Sequence, residues 1–409
     1  MHKTARKAHF SRPRVGGAEK LALDRLLRRL RDGRLEICFW DGQTRTYGHT
    51  GPLVHVQIDD PAVVRRAWRS ASLAVGDAYV AGDLHIPEDE LDSFFWVVAR
   101  NDTLLRGLRP LRRLHRTERN RRSTQRGQVS RHYDVGNDYY RLFLDSTLSY
   151  SCGYFTSAED SLEAAQRQKI DVTLRKLQLQ PGHRLVDIGS GWGHLAVSAA
   201  KGCDVTALGI TLSSQQLAEA RELAQREGVA DRVRFELMNY QDLAESRDPR
   251  LGGPFDRVVS IGMFEHVGRH LHRNYFAAVA RLLAPDGIAV LNTITTQRDQ
   301  PVDAWVDRYV FPGGHLPTVE RIERLLAETG LWSVDRENLW QHYARTIELW
   351  RERHRAHRAE IVAMFDERFY RTRDLWLAGS KAGFDYGALG LTQLVFTNGK
   401  PSSWPWTRD

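Results

Sequence analysis

The chain has 409 residues, which is enough for two domains and a large core. Its apolar content of 42% and aromatic content of 10% are ordinary for a globular protein and argue against wholesale disorder. The formal net charge of +8 favours an anionic partner, either nucleic acid or an anionic membrane surface, although excess arginine can also simply keep a protein in solution.

The three cysteines are few, odd in number and widely spaced, which argues against a disulfide framework and indicates a reducing compartment. No CxxC pair or Cys/His cluster indicates zinc, so we predict no metal. The basic N-terminus is not followed by an apolar stretch, and no apolar run is long enough to span a bilayer. We therefore expect a cytoplasmic protein without a signal peptide, associated peripherally with the inner face of the membrane.

Residues 1–105 predict a small α+β domain, for which we consider a role at a lipid surface or in a homodimer. Its pattern indicates a helix over 18–30, a hairpin over 34–47 around Asp41-Gly42, a strand over 53–58 and a helix over 62–70. Residues 106–126 follow with nine arginines. This segment is interpreted as a linker, or as an exposed helix on a lipid or nucleic-acid surface, and a solvated linker explains it at least as well.

Residues 127–409 predict a catalytic domain in which helices and strands alternate after an amphipathic helix over 162–177. Such alternation gives a parallel sheet with helices on both faces. Seven strands, with the last inserted antiparallel, would form the Rossmann-like α/β sheet of a class I methyltransferase. The strands are predicted over 184–188, 205–210, 233–237, 256–261, 288–294, 332–338 and 391–397, with a long helical stretch over 343–370.

A glycine-rich turn, LVDIGSGWG at 185–193, follows the first of these strands. Glycine lets the backbone approach a ligand closely, and the helix that follows presents free N–H groups. The spacing Gly-x-Gly-x-Gly differs from the Gly-x-Gly-x-x-Gly of NAD folds, and no Gly-Lys-Ser/Thr follows as in a P-loop. The turn fits best the S-adenosylmethionine loop of class I methyltransferases.

Four further segments specify the branch of methyltransferases that the chain resembles. They are HYDVGNDYYRLFLDSTLSYSCGYF (132–155), GITLSSQQ (209–216), SIGMFEHVG (260–268) and WVDRYVFPGGHLP (305–317). In this combination and order they resemble the cyclopropane-fatty-acyl-phospholipid synthases and the related mycolic acid cyclopropane synthases. The resemblance runs from about residue 125 to the C-terminus and extends more loosely over the N-terminal domain.

The resemblance implies S-adenosylmethionine as the methyl donor and assigns residues to it. Tyr150 and Ser151 match the contacts at the methionine end, and Thr211 with Gln216 match the pair at the ribose. For the tyrosines the alternative is ordinary aromatic packing, and for Asp187 it is a helix N-cap, which can coexist with donor binding. The remaining matches are the loop residues Asp187, Gly189, Gly191 and Gly193, and the adenine-side pair Tyr240 and Gln241.

The resemblance also implies an unusual acceptor, the cis double bond of an unsaturated phospholipid acyl chain. Methyl transfer to an alkene leaves a carbocation, and a base must then remove a proton so that the cyclopropane ring closes. Aromatic faces stabilise a nearby cation, and water must be excluded from it. An aromatic-rich insertion near 299–317 suits that task and is assigned to lipid binding, although plain core packing explains any single ring equally well.

The base implied by the resemblance is a bound bicarbonate. Its ligands would be Cys152 and Ile294 through the backbone, with Glu265, residue 292 and Tyr343; the alternative for Glu265 is a polar helix start. Two positions depart from the family pattern. Residue 292 is commonly His in these synthases and is Asn292 here, which donates to an anion but carries no proton or charge. Ser380 stands where many members have a cysteine, which excludes a catalytic thiol there.

Three alternatives stay open beside cyclopropanation. The Asn292 departure favours a related lipid C-methyltransferase giving methyl-branched, methylene or hydroxylated chains. A nucleic-acid methyltransferase would usually carry Asn/Asp-Pro-Pro-Tyr where this chain has Gly-Met-Phe-Glu at 262–265, so we expect no nucleic-acid partner. A non-catalytic lipid-binding protein on the same scaffold is disfavoured by the intact glycine loop.

Overall fold

The computed structural model describes residues 17–102, 136–248, 250–299 and 302–405. Its contacts divide the chain into two compact units, with the division after residue 113. The arginine-rich segment at 106–126 and the first four residues of the 132–155 motif lie outside the described residues.

The N-terminal unit is a small α+β domain built on a four-stranded sheet of order β2-β1-β3-β4. The first two strands form the predicted antiparallel hairpin, and β3 pairs with β1 in parallel. Alternate apolar residues of β3, Val54 and Val56, are buried, as expected for a sheet with one face on a core. The elements are α1 (Gly17–Leu27), β1 (Gly33–Cys38), β2 (Thr44–Thr50), β3 (Leu53–Ile58), α2 (Ala62–Ala67), α3 (Ala71–Ala81), β4 (Leu84–His85) and α4 (Leu91–Arg100).

The C-terminal unit is built on a seven-stranded sheet of order β10-β11-β9-β8-β5-β6-β7. Strand β11 runs antiparallel between β9 and β10, and the other pairs are parallel, which confirms the predicted class I methyltransferase sheet. The elements are α5 (Asn137–Phe143), α6 (Leu162–Lys176), β5 (Arg184–Ile188), α7 (His194–Cys203), β6 (Thr206–Thr211), α8 (Ser214–Arg226), β7 (Val233–Leu237), α9 (Tyr240–Glu245), β8 (Phe255–Ile261), α10 (His272–Leu282), β9 (Leu283–Thr296), α11 (Ala304–Tyr309), α12 (Val319–Glu328), β10 (Leu331–Asn338), α13 (Trp340–Ala356), α14 (Arg358–Met364), α15 (Glu367–Asp385) and β11 (Leu389–Asn398).

The central strands are buried on both faces, which is why they are nearly continuous apolar runs. On β5, Val186 and Ile188 pack into one core, whereas Leu185 packs into the core on the opposite face. The sheet is therefore held rigidly from both sides. Its parallel strands end at one edge, where the turns after β5, β6 and β8 come together.

The helical stretch predicted over 343–370 is three helices, α13, α14 and α15, rather than one. The chain leaves helical geometry at His357 and again at Phe365, where φ is −130° and ψ is −101°. Asp366 then starts α15, because its side chain accepts a hydrogen bond from the backbone N–H of Phe369 at 2.7 Å. Neither break contains glycine or proline, so the sequence pattern continues through both.

Candidate active site

The glycine loop after β5 takes a backbone shape that other residues rarely adopt. Gly189, Gly191 and Gly193 have φ of +85°, +54° and +91°. A Cβ at Gly189 would lie 2.8 Å from Met263, and one at Gly193 would lie 2.6 Å from the ring of Phe235, whereas one at Gly191 would have no neighbour within 4 Å. The loop thus packs tightly at its two ends and leaves its middle glycine exposed to a ligand.

A cavity of about 1120 Å³, part of it open to solvent, lies over this loop. Its size suits a nucleoside-sized ligand. Gln241, which was also predicted to hold the donor, does not line it; its backbone N–H donates to the Asn239 side chain at 2.9 Å. The other nine residues predicted to hold the donor line the cavity together: Tyr150, Ser151, Asp187, Gly189, Gly191, Gly193, Thr211, Gln216 and Tyr240.

The polar pair predicted at the ribose is joined by a hydrogen bond. The Thr211 hydroxyl, at the end of β6, donates to Oε1 of Gln216 at 2.8 Å. Ser213 caps α8 between them and donates its backbone N–H to the Thr211 hydroxyl at 3.2 Å. The pair is thereby fixed beside the glycine loop in a position that suits recognition of a sugar hydroxyl.

Two buried side chains that can carry charge also line the cavity, Lys169 from α6 and Asp187 from β5. Burial raises the pKa of Asp187 to about 7, and the Lys169 ammonium acts in the opposite direction. Burial also lowers the pKa of Lys169. Lys169 was not predicted from the sequence, because a buried lysine and a solvent-exposed lysine give the same pattern on an amphipathic helix.

The residues predicted to organise the base form a second group, centred on Glu265. Its Oε1 accepts the backbone N–H of Ile294 at 2.6 Å, and burial raises the pKa of the carboxyl. Ile294 and Asn292 are two residues apart on β9 and therefore face the same side of the sheet. Oε2 of Glu265 and Nδ2 of Asn292 are buried and have no hydrogen-bond partner among the described residues.

Cys152 is buried in an apolar cluster that also includes Ile294 and Tyr343, so the structure brings two more of the predicted ligands, Cys152 and Tyr343, together with Ile294. Burial raises the pKa of the Cys152 thiol, and its Sγ donates to the carbonyl of Gly153 at 3.0 Å. A thiol kept protonated in this way does not act as a nucleophile. The Cys152 segment is anchored to α13 by the Gly153 N–H, which donates to the Thr346 hydroxyl at 3.0 Å.

The insertion contributes an aromatic ring between the donor cavity and the apolar cluster. The ring of Phe311 lies 5.5 Å from that of His266, which lines the cavity, and 5.8 Å from that of Trp376. Trp376 in turn lies 6.3 Å from Tyr150. Burial lowers the pKa of His266 to about 4, so its imidazole is neutral near pH 7. A series of neighbouring aromatic rings, from His266 through Phe311 and Trp376 to Tyr150, thus links the donor cavity with the apolar cluster.

These residues fit the two small molecules that the sequence resemblance implies. Open space at Gly191 and the fixed pair Thr211–Gln216 suit the nucleoside portion of S-adenosylmethionine. The unpartnered acceptor on Glu265 and donor on Asn292 suit bicarbonate, whose hydroxyl needs an acceptor and whose anionic oxygen needs a donor.

Two other kinds of site are absent from the part of the chain that the structure describes. There, no group of three or more His, Cys, Asp or Glu side chains is arranged to hold a metal ion. Within the same ranges, no helix combines the length and apolar composition that crossing a bilayer requires.

Comparison with known proteins places the chain among lipid-modifying methyltransferases. Residues 120–394 match the family described as mycolic acid cyclopropane synthetase, and residues 22–103 match a domain of unknown function (DUF7884). The chain is 36% identical to the cyclopropane-fatty-acyl-phospholipid synthase of Escherichia coli (strain K12), over 84% of this chain and 88% of that protein.

Two further comparisons extend the likeness. The chain is 34% identical to a tuberculostearic acid methyltransferase of Mycobacterium tuberculosis, over 94% of this chain and 93% of that protein. It also matches the crystal structure of a mycolic acid cyclopropane synthase complexed with SAH and CTAB at a TM-score of 0.61 and 33% identity, over 66% of this chain and 98% of that one. Together with the strand order, the match confirms the predicted fold.

Proposed function

Because the chain belongs to the mycolic acid cyclopropane synthetase family and is an S-adenosylmethionine-dependent methyltransferase, we propose that it is a cyclopropane-fatty-acyl-phospholipid synthase. It transfers a methylene unit from S-adenosylmethionine to the cis double bond of an unsaturated acyl chain. The observation that carries the proposal is the pairing of a donor cavity with a buried, unpartnered Glu265 oxygen beside an aromatic-lined region.

The reaction begins when the alkene carbon attacks the methyl group of the donor, so that a carbon–carbon bond forms and the carbon–sulfur bond breaks. The positive charge passes to the acyl chain, where the faces of Tyr150, Trp376 and Phe311 stabilise it and exclude water. A proton then leaves the new methyl group, and the electron pair of the broken carbon–hydrogen bond closes the ring. Bicarbonate, when bound, supplies the base for that proton.

In this proposal the residues around Glu265 hold bicarbonate. Glu265 accepts the hydrogen of its hydroxyl through Oε2, while Asn292 donates to one of its oxygens. The Ile294 N–H is already donated to Oε1 of Glu265, so it orients the carboxylate. Cys152 and Tyr343 close the pocket on the apolar side.

The test is incubation of the purified protein with S-adenosylmethionine and vesicles of unsaturated phospholipid, followed by gas chromatography of the acyl chains. We expect chains with one added methylene unit and no remaining double bond. In Glu265→Gln, product formation should fall by about 10²–10⁴-fold, because the carboxylate that directs the base is lost.

Donor binding by Glu265→Gln should match that of the unchanged protein, because Glu265 does not line the donor cavity. Glu360 of α14 is exposed, so Glu360→Gln provides a control for the charge change, and the activity of this variant should stay normal. Failure of the unchanged protein to modify any unsaturated chain would contradict the proposal.

A second candidate keeps the donor and the alkene but gives a methyl-branched, methylene or hydroxylated chain. Two observations favour it: Asn292 replaces the usual histidine, and one relative is named a tuberculostearic acid methyltransferase. The same chromatography separates these products from a cyclopropane.

For both candidates we propose that the protein works in the cytoplasm and contacts the membrane peripherally, with the 299–317 insertion at the acyl chain. We also propose that residues 1–105 act at the lipid surface or form a homodimer.

A further inference from the structure

Helix α6 presents two polar side chains, one turn apart, to the segment that carries Tyr150. Gln166 donates through Nε2 to the backbone carbonyl of Ser151 at 2.8 Å. Lys169 donates through Nζ to the hydroxyl of Ser149 at 3.1 Å and to that of Ser151 at 3.3 Å. Both side chains are buried, at 0% and 7% exposure. The segment is therefore held by a neutral amide on its backbone and by an ammonium on its side chains.

The ammonium of Lys169 is not matched by an anion in direct contact. Among the described residues, its hydrogen-bond partners are the two serine hydroxyls, which are neutral. The nearby carboxylate of Asp145 is occupied locally, because its oxygens accept from the backbone N–H groups of Thr147 at 2.9 Å and Ser149 at 3.0 Å. A buried ammonium without a bonded anion is costly, and one of its three N–H groups has no partner among these residues.

Lys169 also lines the donor cavity, beside the residues matched to the methionine end of the donor. The methionine portion of S-adenosylmethionine carries one carboxylate and one ammonium. Asp187 lines the same part of the cavity, is 4% exposed and provides a carboxylate for the ammonium. The cavity thus contains one buried charge of each sign for a zwitterionic ligand.

We propose that Lys169 binds the carboxylate of the donor's methionine moiety and so makes the enzyme selective for carboxylated donors. The inference rests on the proposed function for the identity of the donor. Lys169 is then a binding residue, whereas its neighbour Gln166 only positions the 149–151 segment. The two roles predict different responses to a change in the ligand.

The experiment measures binding by titration calorimetry of the full chain with S-adenosylhomocysteine and with its decarboxylated analogue. The unchanged protein should bind the decarboxylated compound about 10–100-fold more weakly, the range expected for a hydrogen bond between charged groups. In Lys169→Met, the affinity for S-adenosylhomocysteine should fall to a similar extent, and the affinities for the two ligands should lie within about threefold of each other. Lys169→Arg should retain part of the discrimination because it keeps the charge.

Gln166→Met is the matched control on the same face of α6. This substitution loosens the same segment without removing a charge. It should therefore lower the affinities for both ligands equally and leave the preference for the carboxylated ligand unchanged. If Lys169→Met prefers S-adenosylhomocysteine over the decarboxylated analogue as strongly as the unchanged protein does, Lys169 only positions the 149–151 segment and the inference is wrong. Since no acceptor is needed, this result is independent of the reaction product. Absence of any binding by the unchanged protein would instead contradict the donor in the proposed function.

Discussion

Asp187 is a buried carboxyl that, in the proposed donor complex, must be ionised to bind the donor's ammonium. Burial raises its pKa to about 7, and Lys169 of α6 is the charged side chain that acts against this rise. Below about pH 7 the unliganded carboxyl is protonated, and binding of the donor has to displace that proton. Donor affinity should therefore increase with pH through this range and level off above it.

This pH dependence is checked by titrating S-adenosylhomocysteine near pH 6 in two buffers of different ionisation enthalpy. Different apparent heats would reveal release of about one proton. Asp187→Asn should bind more weakly and show no release. Equal heats in both buffers for the unchanged protein would show that Asp187 is already ionised.

The raised pKa of Asp187 also predicts that the free energy of unfolding of the unliganded protein decreases as pH rises from about 4 to about 7, because the unfolded chain then binds fewer protons than the folded one.

Cys152 lies among the proposed bicarbonate ligands but should not act through its thiol. It is 2% exposed, and burial raises its pKa, whereas Cys38 and Cys203 are partly exposed. We expect iodoacetamide to modify those two cysteines without loss of product formation. Cys152→Ser should retain activity within about threefold, since the thiolate is the reactive form and is not populated here. Mass spectrometry of the alkylated protein with a parallel activity assay checks both, and inactivation that follows labelling of Cys152 would refute this view.

At the scale of elements, the proposed mechanism requires the insertion that carries α11 to shield the reacting chain from water. Phe311 lies between His266 and Trp376, whereas Tyr309, two residues earlier, is 46% exposed. Phe311→Ala should lower product formation about 10-fold, because an aromatic face near a desolvated cation is worth about 1–2 kcal/mol. It should also raise the share of hydroxylated chains, since water then reaches the cation.

Tyr309→Ala is the matched control, with the same loss of a ring from the same insertion. It should leave both the rate and the product ratio unchanged. Gas chromatography of products from the two variants makes the comparison, and S-adenosylhomocysteine binding should be equal in both. An unchanged product ratio in Phe311→Ala would show that Phe311 does not keep water away from the cation.

The elements show what the sequence predicts well and what it does not. The half-buried strands β7 and β3 were predicted to the residue, because their alternation of apolar and polar residues ends at polar turns. The breaks at His357 and Phe365 were not predicted, because they depend on tertiary packing and on one capping aspartate rather than on glycine or proline. The nine predicted donor residues that line one cavity were found because seven of them lie at or just after strand ends and two lie in the 132–155 motif, whereas Lys169 has no local signal at all.

For the whole molecule, net charge and lipid chemistry lead to one expectation. We expect the formal charge of +8 to attract the protein to anionic phospholipid. The acyl double bond, however, lies inside the bilayer, and the described helices do not cross it. Association that is peripheral and mainly electrostatic would concentrate the enzyme at its substrate and still allow it to leave.

Vesicle sedimentation checks this expectation with the full chain. Binding to vesicles that contain anionic phosphatidylglycerol should weaken steeply as ionic strength rises from about 0.05 M to about 0.5 M, because the Debye length falls from well above 10 Å to a few ångströms. Binding to zwitterionic phosphatidylcholine vesicles should be weak throughout. Product formation on anionic vesicles should decrease over the same salt range. The affinity for S-adenosylhomocysteine should stay nearly constant, because the charged side chains that line the donor cavity, Lys169 and Asp187, are buried. Salt-independent binding to both vesicle types would instead mean that apolar contact, rather than charge, holds the protein at the membrane.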